Sequence, residues 1–184
     1  ALSWQAKLIL CGVPEGAIRQ LPSALGALFE DATPESVALS DRIGALRFLI
    51  EDGPGFVITT PPAALERTLP LDLLATAFQT IKVGDTVDLE FIRDGLLRLG
   101  YEPAEPVRMP GQFSRRGGII DIYAMGIEQP VRIELFDDVV ESMRIFDPNS
   151  QRSVGKIDEL TLAPSREVLY PSEADLPAFV DMLT

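Results

Sequence analysis

The sequence contains no histidine and only one cysteine, Cys11. A Ser-His-Asp triad, a Cys-His dyad, a histidine general base and a His-ligated zinc site all need an imidazole, so these kinds of site are excluded. A single cysteine cannot form an internal disulfide, which argues against a disulfide-stabilised secreted scaffold. Most familiar hydrolase chemistries are therefore absent, and no catalytic residue is predicted.

Long apolar runs and positive charge are also scarce. No apolar run approaches the ~20 residues of a membrane span, and the first residues lack the features of a signal peptide. We therefore expect a cytoplasmic protein that contacts no membrane. The chain has 16 Lys and Arg against 28 Asp and Glu, a net charge of −12, which repels phosphates on average. This balance favours a protein partner over nucleic acid.

Residues 1–78 alternate short apolar runs with helix-prone segments, which predicts a parallel sheet with helical crossovers. The predicted strands are Lys7–Gly12, Val37–Leu39 and Phe56–Thr60, and the predicted helices are 17–29, Arg42–Glu51 and a short one from Pro61 to about Thr68. Ser40 or Asp41 is the predicted N-cap of the second helix.

From about residue 79 the pattern changes to strands and turns with one helix. A strand at Ala77–Val83 precedes the amphipathic helix Leu89–Leu99, which Gly100 ends. Further strands are predicted at Gln112–Arg115, Gly118–Tyr123, Pro130–Phe136, Val139–Phe146 and Glu159–Ala163. The chain is thus predicted to form an α/β domain over 1–78 and a mainly antiparallel α+β module over 79–168. Residues 169–184 are interpreted as a segment returning toward the first domain.

Two patterns could indicate a nucleotide or a metal, and neither is convincing. The turn Cys11–Gly16 is predicted between a strand and a helix, as in phosphate-binding loops, but Pro14 lacks an amide hydrogen and Glu15 adds negative charge. Adjacent acidic residues such as Asp137 and Asp138 occur at predicted turns, where aspartate is common. We therefore predict no metal site and no cofactor.

The positive charge that the chain does have is locally concentrated. Between Glu105 and Asp121 there is no carboxylate, whereas Arg108, Arg115 and Arg116 all lie in this interval. One interpretation is a solvated turn in which two glycines permit positive φ angles. The other is an edge of a binding surface.

The strand Pro130–Phe136 favours the second interpretation. If its aliphatic residues face a core, Arg132, Glu134 and Phe136 share the opposite face. An arginine beside an exposed aromatic ring is typical of protein-interface hot spots. The alternative is that Phe136, at the strand end, folds over another element of the molecule. Arg116, at the start of a neighbouring strand, would lie within reach of the same face.

Three segments carry a family resemblance, namely residues 111–123 (GQFSRRGGIIDIY), 131–138 (VRIELFDD) and 146–153 (FDPNSQRS). Their order and spacing resemble the UvrB-like region of the bacterial transcription-repair coupling factors, the Mfd family. The resemblance is strong over about 80–170. It is looser over the first 80 residues, which are similar to the family's truncated motor-like domain. The implied fold is a partial RecA-like parallel sheet with helices, followed by a mainly antiparallel module like UvrB domain 2.

The resemblance implies a non-enzymatic adaptor, a fragment of a longer protein, that binds UvrA, the damage-recognition ATPase of nucleotide excision repair. The family's contact residues fall on Arg116, Arg132 and Phe136, with Glu134, Arg115 and Arg108 peripheral. RNA polymerase and DNA would be contacted only through other domains of the parent protein, whose motor lies outside this chain. Ser114 stands where UvrB-type modules carry an arginine.

Two other functions remain alternatives. The first is an ATP-dependent UvrB-type excision or helicase subunit with a nucleotide site in the motor-like half. UvrB's Gly-Lys-Thr loop and aromatic-rich hairpin are, however, absent from the sequence. The second is direct DNA binding through the arginines between Arg108 and Arg116.

Overall fold

The computed structural model describes residues 3–23, 35–51, 54–66, 68 and 71–165. Its helices are α1 (Trp4–Leu10), α2 (Glu35–Ile50), α3 (Pro61–Leu65), α4 (Leu71–Thr76) and α5 (Leu89–Arg98). Its strands are β1 (Ile18–Leu21), β2 (Phe56–Thr59), β3 (Gln79–Lys82), β4 (Glu102–Pro103), β5 (Gln112–Arg116), β6 (Ile119–Ile122), β7 (Val131–Phe136), β8 (Val139–Phe146), β9 (Ser153–Ile157) and β10 (Glu159–Leu162). A 3-10 turn, Glu15–Ala17, precedes β1.

The strands described form a six-stranded sheet and two smaller pairs. The large sheet has the order β4-β5-β6-β7-β8-β9 and is antiparallel except for the β4-β5 pair. Strands β1 and β2 pair in parallel, and β3 pairs with β10 antiparallel. A parallel pair in the first part and a mainly antiparallel sheet in the second confirm the predicted fold class.

Helix α5 belongs to the main core together with one face of the large sheet. Asp88 caps its N-terminus by accepting a hydrogen bond from the amide of Glu90, and Gly100 follows its C-terminus at a φ of +86°. The core residues are contributed by α5 (Ile92, Leu96), β6 (Ile120, Ile122), β7 (Val131, Ile133) and β8 (Val140, Met143), among others. Because the core residues of β6 and β7 alternate along each strand, the opposite face of the sheet is free to carry polar groups.

Helix α2 packs closely against the loop that follows β6. Ile43 is fully buried in the main core, and an added Cβ on Gly44 would lie 3.2 Å from the Cα of Gly126. Gly126, at a φ of +78°, donates its amide hydrogen to the Oγ of Ser40 at 2.8 Å. A side chain at either glycine would thus have to displace a backbone. The proposed boundary near residue 78 stays a prediction.

The predictions for the first 30 residues are mostly wrong. Lys7–Gly12 is not a strand, since most of it lies in α1, which Ser3 caps by accepting a hydrogen bond from the amide of Ala6. No side chain of α1 is buried, so this run is not covered as an interior strand would be. The predicted helix 17–29 instead contains β1, which pairs with β2, and its remainder from residue 24 lies outside the described residues.

The next predictions are partly wrong. Val37–Leu39 is helical because α2 begins at Glu35, which places Ser40 and Asp41 inside the helix rather than at its cap. The spacing of Leu39, Ile43 and Leu46 is that of one helix face, and all three are buried or packed on the core.

Several later predictions are confirmed. Phe56–Thr60 corresponds to β2, and the helix from Pro61 is α3, which ends at Leu65. In the second half every predicted strand is present, whereas β4 and β9 were not predicted. The proposed return segment, 169–184, lies outside the described residues. Among those described, no helix combines the length and apolar character that a membrane crossing requires.

Candidate protein-interaction face

The side of the six-stranded sheet that faces away from the main core is called here the outer face. Residues directly opposite one another in an antiparallel sheet project to the same side. One row across this face consists of Ser114, Asp121, Arg132, Arg144 and Lys156, and a second row consists of Arg116, Ile119, Glu134 and Ser142. The pairing therefore places Arg116, Arg132 and Glu134 on one surface, as the alternation of β7 predicts.

A buried carboxylate links the two central arginines. Asp121 is 1% exposed, and its Oδ1 and Oδ2 accept hydrogen bonds from the Nε and Nη2 of Arg132 at 2.7 and 2.8 Å. Its Oδ2 also accepts one from the Nη2 of Arg116 at 3.1 Å. The hydrogen bond to Asp121 raises the pKa of Arg132 further above its ordinary value, so this guanidinium stays charged. The Nη1 of Arg116 also lies 3.8 Å from the Oε1 of Glu105, so the two arginines are paired with one buried and one exposed carboxylate.

An aromatic ring supports Arg132 as well. Its guanidinium lies 5.1 Å from the ring centroid of Phe146, within the range of a cation–π interaction. Phe146 is fully buried and forms a second small cluster with Val107 and Tyr123. The side chain of Arg132 is 20% exposed, whereas that of Arg116 is 52% exposed. Arg132 is thus the fixed member of the pair and Arg116 the more accessible one.

Phe136 ends β7 on the same face of the sheet as this cluster and is 70% exposed. It pairs with Val139, itself 42% exposed, across the turn that contains Asp137 at a φ of +52°. The register shifts between Glu134 and Leu135, which leaves one extra residue, Glu141, in β8. Nothing among the described residues folds over Phe136, so its ring is available to a partner.

Glu134 and Arg144 extend the polar network along the second half of the face. The Oε2 of Glu134 accepts a hydrogen bond from the Oγ of Ser142 at 2.7 Å and lies 3.4 Å from the Nη2 of Arg144. The Nε of Arg144 is buried and finds no hydrogen-bond acceptor in the described structure. The guanidinium of Arg144 is therefore only partly satisfied within the molecule.

The two remaining predicted residues lie elsewhere. Arg115 is opposite Ile120, on the core side of the sheet, and pairs with Glu90 in the first turn of α5. Arg108 is exposed in the loop before β5, where its amide donates to the Oε1 of Gln112. The structure thus brings Arg116, Arg132, Glu134 and Phe136 together and places Arg115 on the other side.

Asp121 and Arg144 are among the residues of the face that were not predicted. Asp121 is the single carboxylate within an otherwise aliphatic strand, and that interruption was the available signal for a buried ion pair. Arg144 alternates with Met143 and Ile145, a pattern that places it on the opposite side from the core. Among the described residues no cluster of three or more potential metal ligands occurs.

The comparison with known families concerns the same part of the chain. Residues 80–168 match the family model described as the UvrB interaction domain. These residues belong to the UvrB interaction domain family. This UvrB interaction domain contains the whole six-stranded sheet and therefore the entire outer face.

Curated relatives of the chain carry the name transcription-repair-coupling factor. The chain is 34% identical to that of Myxococcus xanthus over 158 residues, which are 85% of this chain and 13% of the relative. It is 37% identical to that of Bacillus subtilis, over 67% of this chain and 11% of the relative. It is also 37% identical to that of Staphylococcus haemolyticus, over 78% of this chain and 12% of the relative. The resemblance to the coupling factors is confirmed, and the chain spans only about an eighth of their length.

Proposed function

We propose that this chain is a non-catalytic adaptor fragment of a transcription-repair coupling factor and that the outer face of its UvrB interaction domain binds UvrA. Docking would recruit nucleotide excision repair to a stalled RNA polymerase. Contacts with the polymerase and with DNA are assigned to other domains of the parent protein. No cofactor takes part in the docking itself.

The observation that carries this proposal is the exposed ring of Phe136 on the same face of the sheet as two arginines that are hydrogen-bonded to Asp121. Guanidinium groups bind carboxylates through paired, charge-assisted hydrogen bonds. An aromatic ring can bind in a pocket at the desolvated centre of an interface. The net charge of −12 makes such a positive surface unusual for this chain. The face therefore fits a partner surface with carboxylates around an apolar pocket.

Titration calorimetry of the 184-residue chain with purified UvrA tests the proposal. The variants Phe136→Ala, Arg132→Ala and Arg116→Ala should each weaken binding by about 1–3 kcal/mol, because each removes a central contact. Unchanged affinity in both Phe136→Ala and Arg132→Ala would overturn the docking proposal.

Helix α5 offers matched controls away from the outer face. Phe91 is 66% exposed, comparable to Phe136, and the guanidinium of Arg98 lies 5.8 Å from the centroid of the Phe91 ring. The buried residues of α5, Ile92 and Leu96, are in the core on the opposite side of the sheet. Phe91→Ala and Arg98→Ala should therefore leave UvrA affinity unchanged, and an equal loss in these variants would contradict a localised site.

A different titration distinguishes the alternative function, an ATP-dependent UvrB-type subunit, from the non-catalytic adaptor. The loop Cys11–Gly16 follows the helix α1 rather than a strand, unlike a phosphate loop that opens a helix after a strand. Mg-ATP should therefore release no heat above dilution when added to the chain. Micromolar affinity for Mg-ATP would favour the alternative function.

A further inference from the structure

Three cations oppose one another on adjacent strands of the outer face. Arg132 of β7 is directly opposite Arg144 of β8, and Arg144 is directly opposite Lys156 of β9. Like charges in directly opposed positions of a sheet repel and lower stability. This row, Arg132–Arg144–Lys156, is called the cationic row.

The cationic row is only partly neutralised within the molecule. Asp121 forms an ion pair with Arg132. Glu134 lies 3.4 Å from the Nη2 of Arg144, and it also accepts a hydrogen bond from Ser142. Lys156 is exposed and makes no ion pair with any residue that the structure describes. Positive charge therefore accumulates from the centre of the face toward the edge strand β9.

The buried Nε of Arg144 is a second sign of an incomplete arrangement. It is the one buried side-chain polar atom without a hydrogen-bond partner in the described part of the chain. Buried donors are nearly always paired, and those that are not call for an explanation. The Nε atom is itself inaccessible, but the side chain of Arg144 is 41% exposed, so the accessible part of its guanidinium can donate hydrogen bonds to a carboxylate from outside.

We infer that Arg144 and Lys156, the part of the cationic row beyond Arg132, form a second contact region for UvrA, which receives a group of Asp or Glu side chains of that protein in addition to the contact at Phe136. The inference rests on the proposed function and deepens it, since it extends the docking surface over β8 to β9. Continuity with Arg132 argues for the same partner, and the charge of the row argues for acidic side chains. Docking would relieve the mutual repulsion of the three cations, which gives these residues a role other than stability.

The test measures UvrA binding to the 184-residue chain as a function of salt. Arg144→Gln should weaken binding about tenfold and Lys156→Gln about threefold at low ionic strength, because the first loses a partly desolvated pair and the second a rim charge. The double variant should also show a shallower dependence of affinity on salt concentration. Lys82→Gln is the matched control, because Lys82 is an exposed lysine on β3 and pairs with Glu159 of β10 outside the large sheet.

The outcomes separate the inference from the proposed function. If Arg132→Ala and Phe136→Ala weaken binding while Arg144→Gln and Lys156→Gln behave like Lys82→Gln, then Arg144 and Lys156 are not contacts and this inference fails alone. If none of the five variants alters affinity, the proposed function fails with it. Lys156→Gln removes an exposed charge on an edge strand, so this variant should fold even if Arg144→Gln does not.

Two further measurements complete the test. Thermal unfolding of Lys156→Gln should show an unchanged or higher midpoint, because a repulsive neighbour of Arg144 is removed, whereas a residue that merely supports the fold would lower it. Fluorescence anisotropy with a labelled DNA duplex at low salt should show no binding that depends on the row. DNA binding that is lost in the Arg144→Gln/Lys156→Gln variant would overturn the inference in favour of a nucleic-acid partner.

Discussion

The two faces of the six-stranded sheet are built from the same strands but carry different side chains. The core face of β6 and β7 presents Ile120, Ile122, Val131 and Ile133, all at most 1% exposed. The outer face presents charged groups of intermediate to high exposure around one buried carboxylate, Asp121. Buried aliphatic side chains are thus concentrated on one side of the sheet and charged side chains on the other, which is the proposed binding surface. Substitutions on each side test whether stability depends on the core face and the proposed UvrA binding on the outer face.

The largest expected effect is on the core face. Ile133→Ala should lower the free energy of unfolding by about 4 kcal/mol, because the residue is fully buried and its removal leaves a cavity. Ile119, which lies on the outer face and is only partly buried, provides the matched control. Ile119→Ala should cost about 1 kcal/mol. Urea denaturation measures both, and equal losses would erase the distinction between the faces.

The next largest effect concerns the buried carboxylate. Asp121→Ala should lower the free energy of unfolding by about 3 kcal/mol, because Arg132 is left in a partly buried position without its counter-charge. Asp138→Ala, at an exposed turn position, should change it by less than about 0.5 kcal/mol. Adding Arg132→Ala to Asp121→Ala should recover part of the loss. A double variant no more stable than Asp121→Ala would contradict the stranded-charge explanation.

A smaller effect on stability, with a clear effect on binding, is expected at Phe136. Phe136→Ala should change the free energy of unfolding by less than about 0.5 kcal/mol, since the ring is 70% exposed. The same variant should lose the 1–3 kcal/mol of UvrA binding proposed above. Circular dichroism melts and calorimetric titration on one preparation compare the two quantities. A melting point lowered as much as in Ile119→Ala would show that Phe136 supports the fold.

The smallest effect is expected at Arg116. Arg116→Gln should barely alter stability, because its ion pairs with Asp121 and Glu105 involve a half-exposed side chain. The association rate with UvrA should fall a few-fold at low salt, and the difference from the unaltered chain should shrink as salt is raised. Stopped-flow measurements at several salt concentrations resolve this. A difference in association rate that persists unchanged at high salt would contradict electrostatic steering by the Arg116 charge.

The outer face was largely predictable because β7 alternates with period two. Val131, Ile133 and Leu135 are oriented to the core, which assigns Arg132 and Glu134 to the other side without knowledge of the neighbours. The partner strands were not predictable in the same way. The pairing of Asp121 with Arg132 requires the register between β6 and β7, which short-range sequence patterns do not contain.

The extra residue in β8 shows why alternation alone can fail. Counting in steps of two from Met143 assigns Val139 to the core and Val140 to the outer face. Glu141 interrupts that count, so that Val140 is buried and Val139 lies beside Phe136 on the outside.

The first part of the chain was harder to predict for another reason. A short continuous apolar run does not distinguish a strand from a helix by its period. The run Lys7–Gly12 is mostly helical and exposed, while Ile18–Leu21 provides the strand parallel to β2. Which of two candidate runs pairs with β2 depends on the tertiary structure. The position of α2 likewise depends on the close contact of Gly44 with Gly126.

The carboxylate shared by Arg116 and Arg132 has a consequence for the entropy of docking. Long cationic side chains lose rotamer freedom when a partner immobilises them, and this loss opposes association. Because two oxygens of Asp121 already fix the guanidinium plane of Arg132, most of that loss occurs when the chain folds. An incoming molecule would therefore meet a donor group already pointed in one direction. A lysine at position 132 would keep the charge but, having no planar fork, would lose this advance alignment.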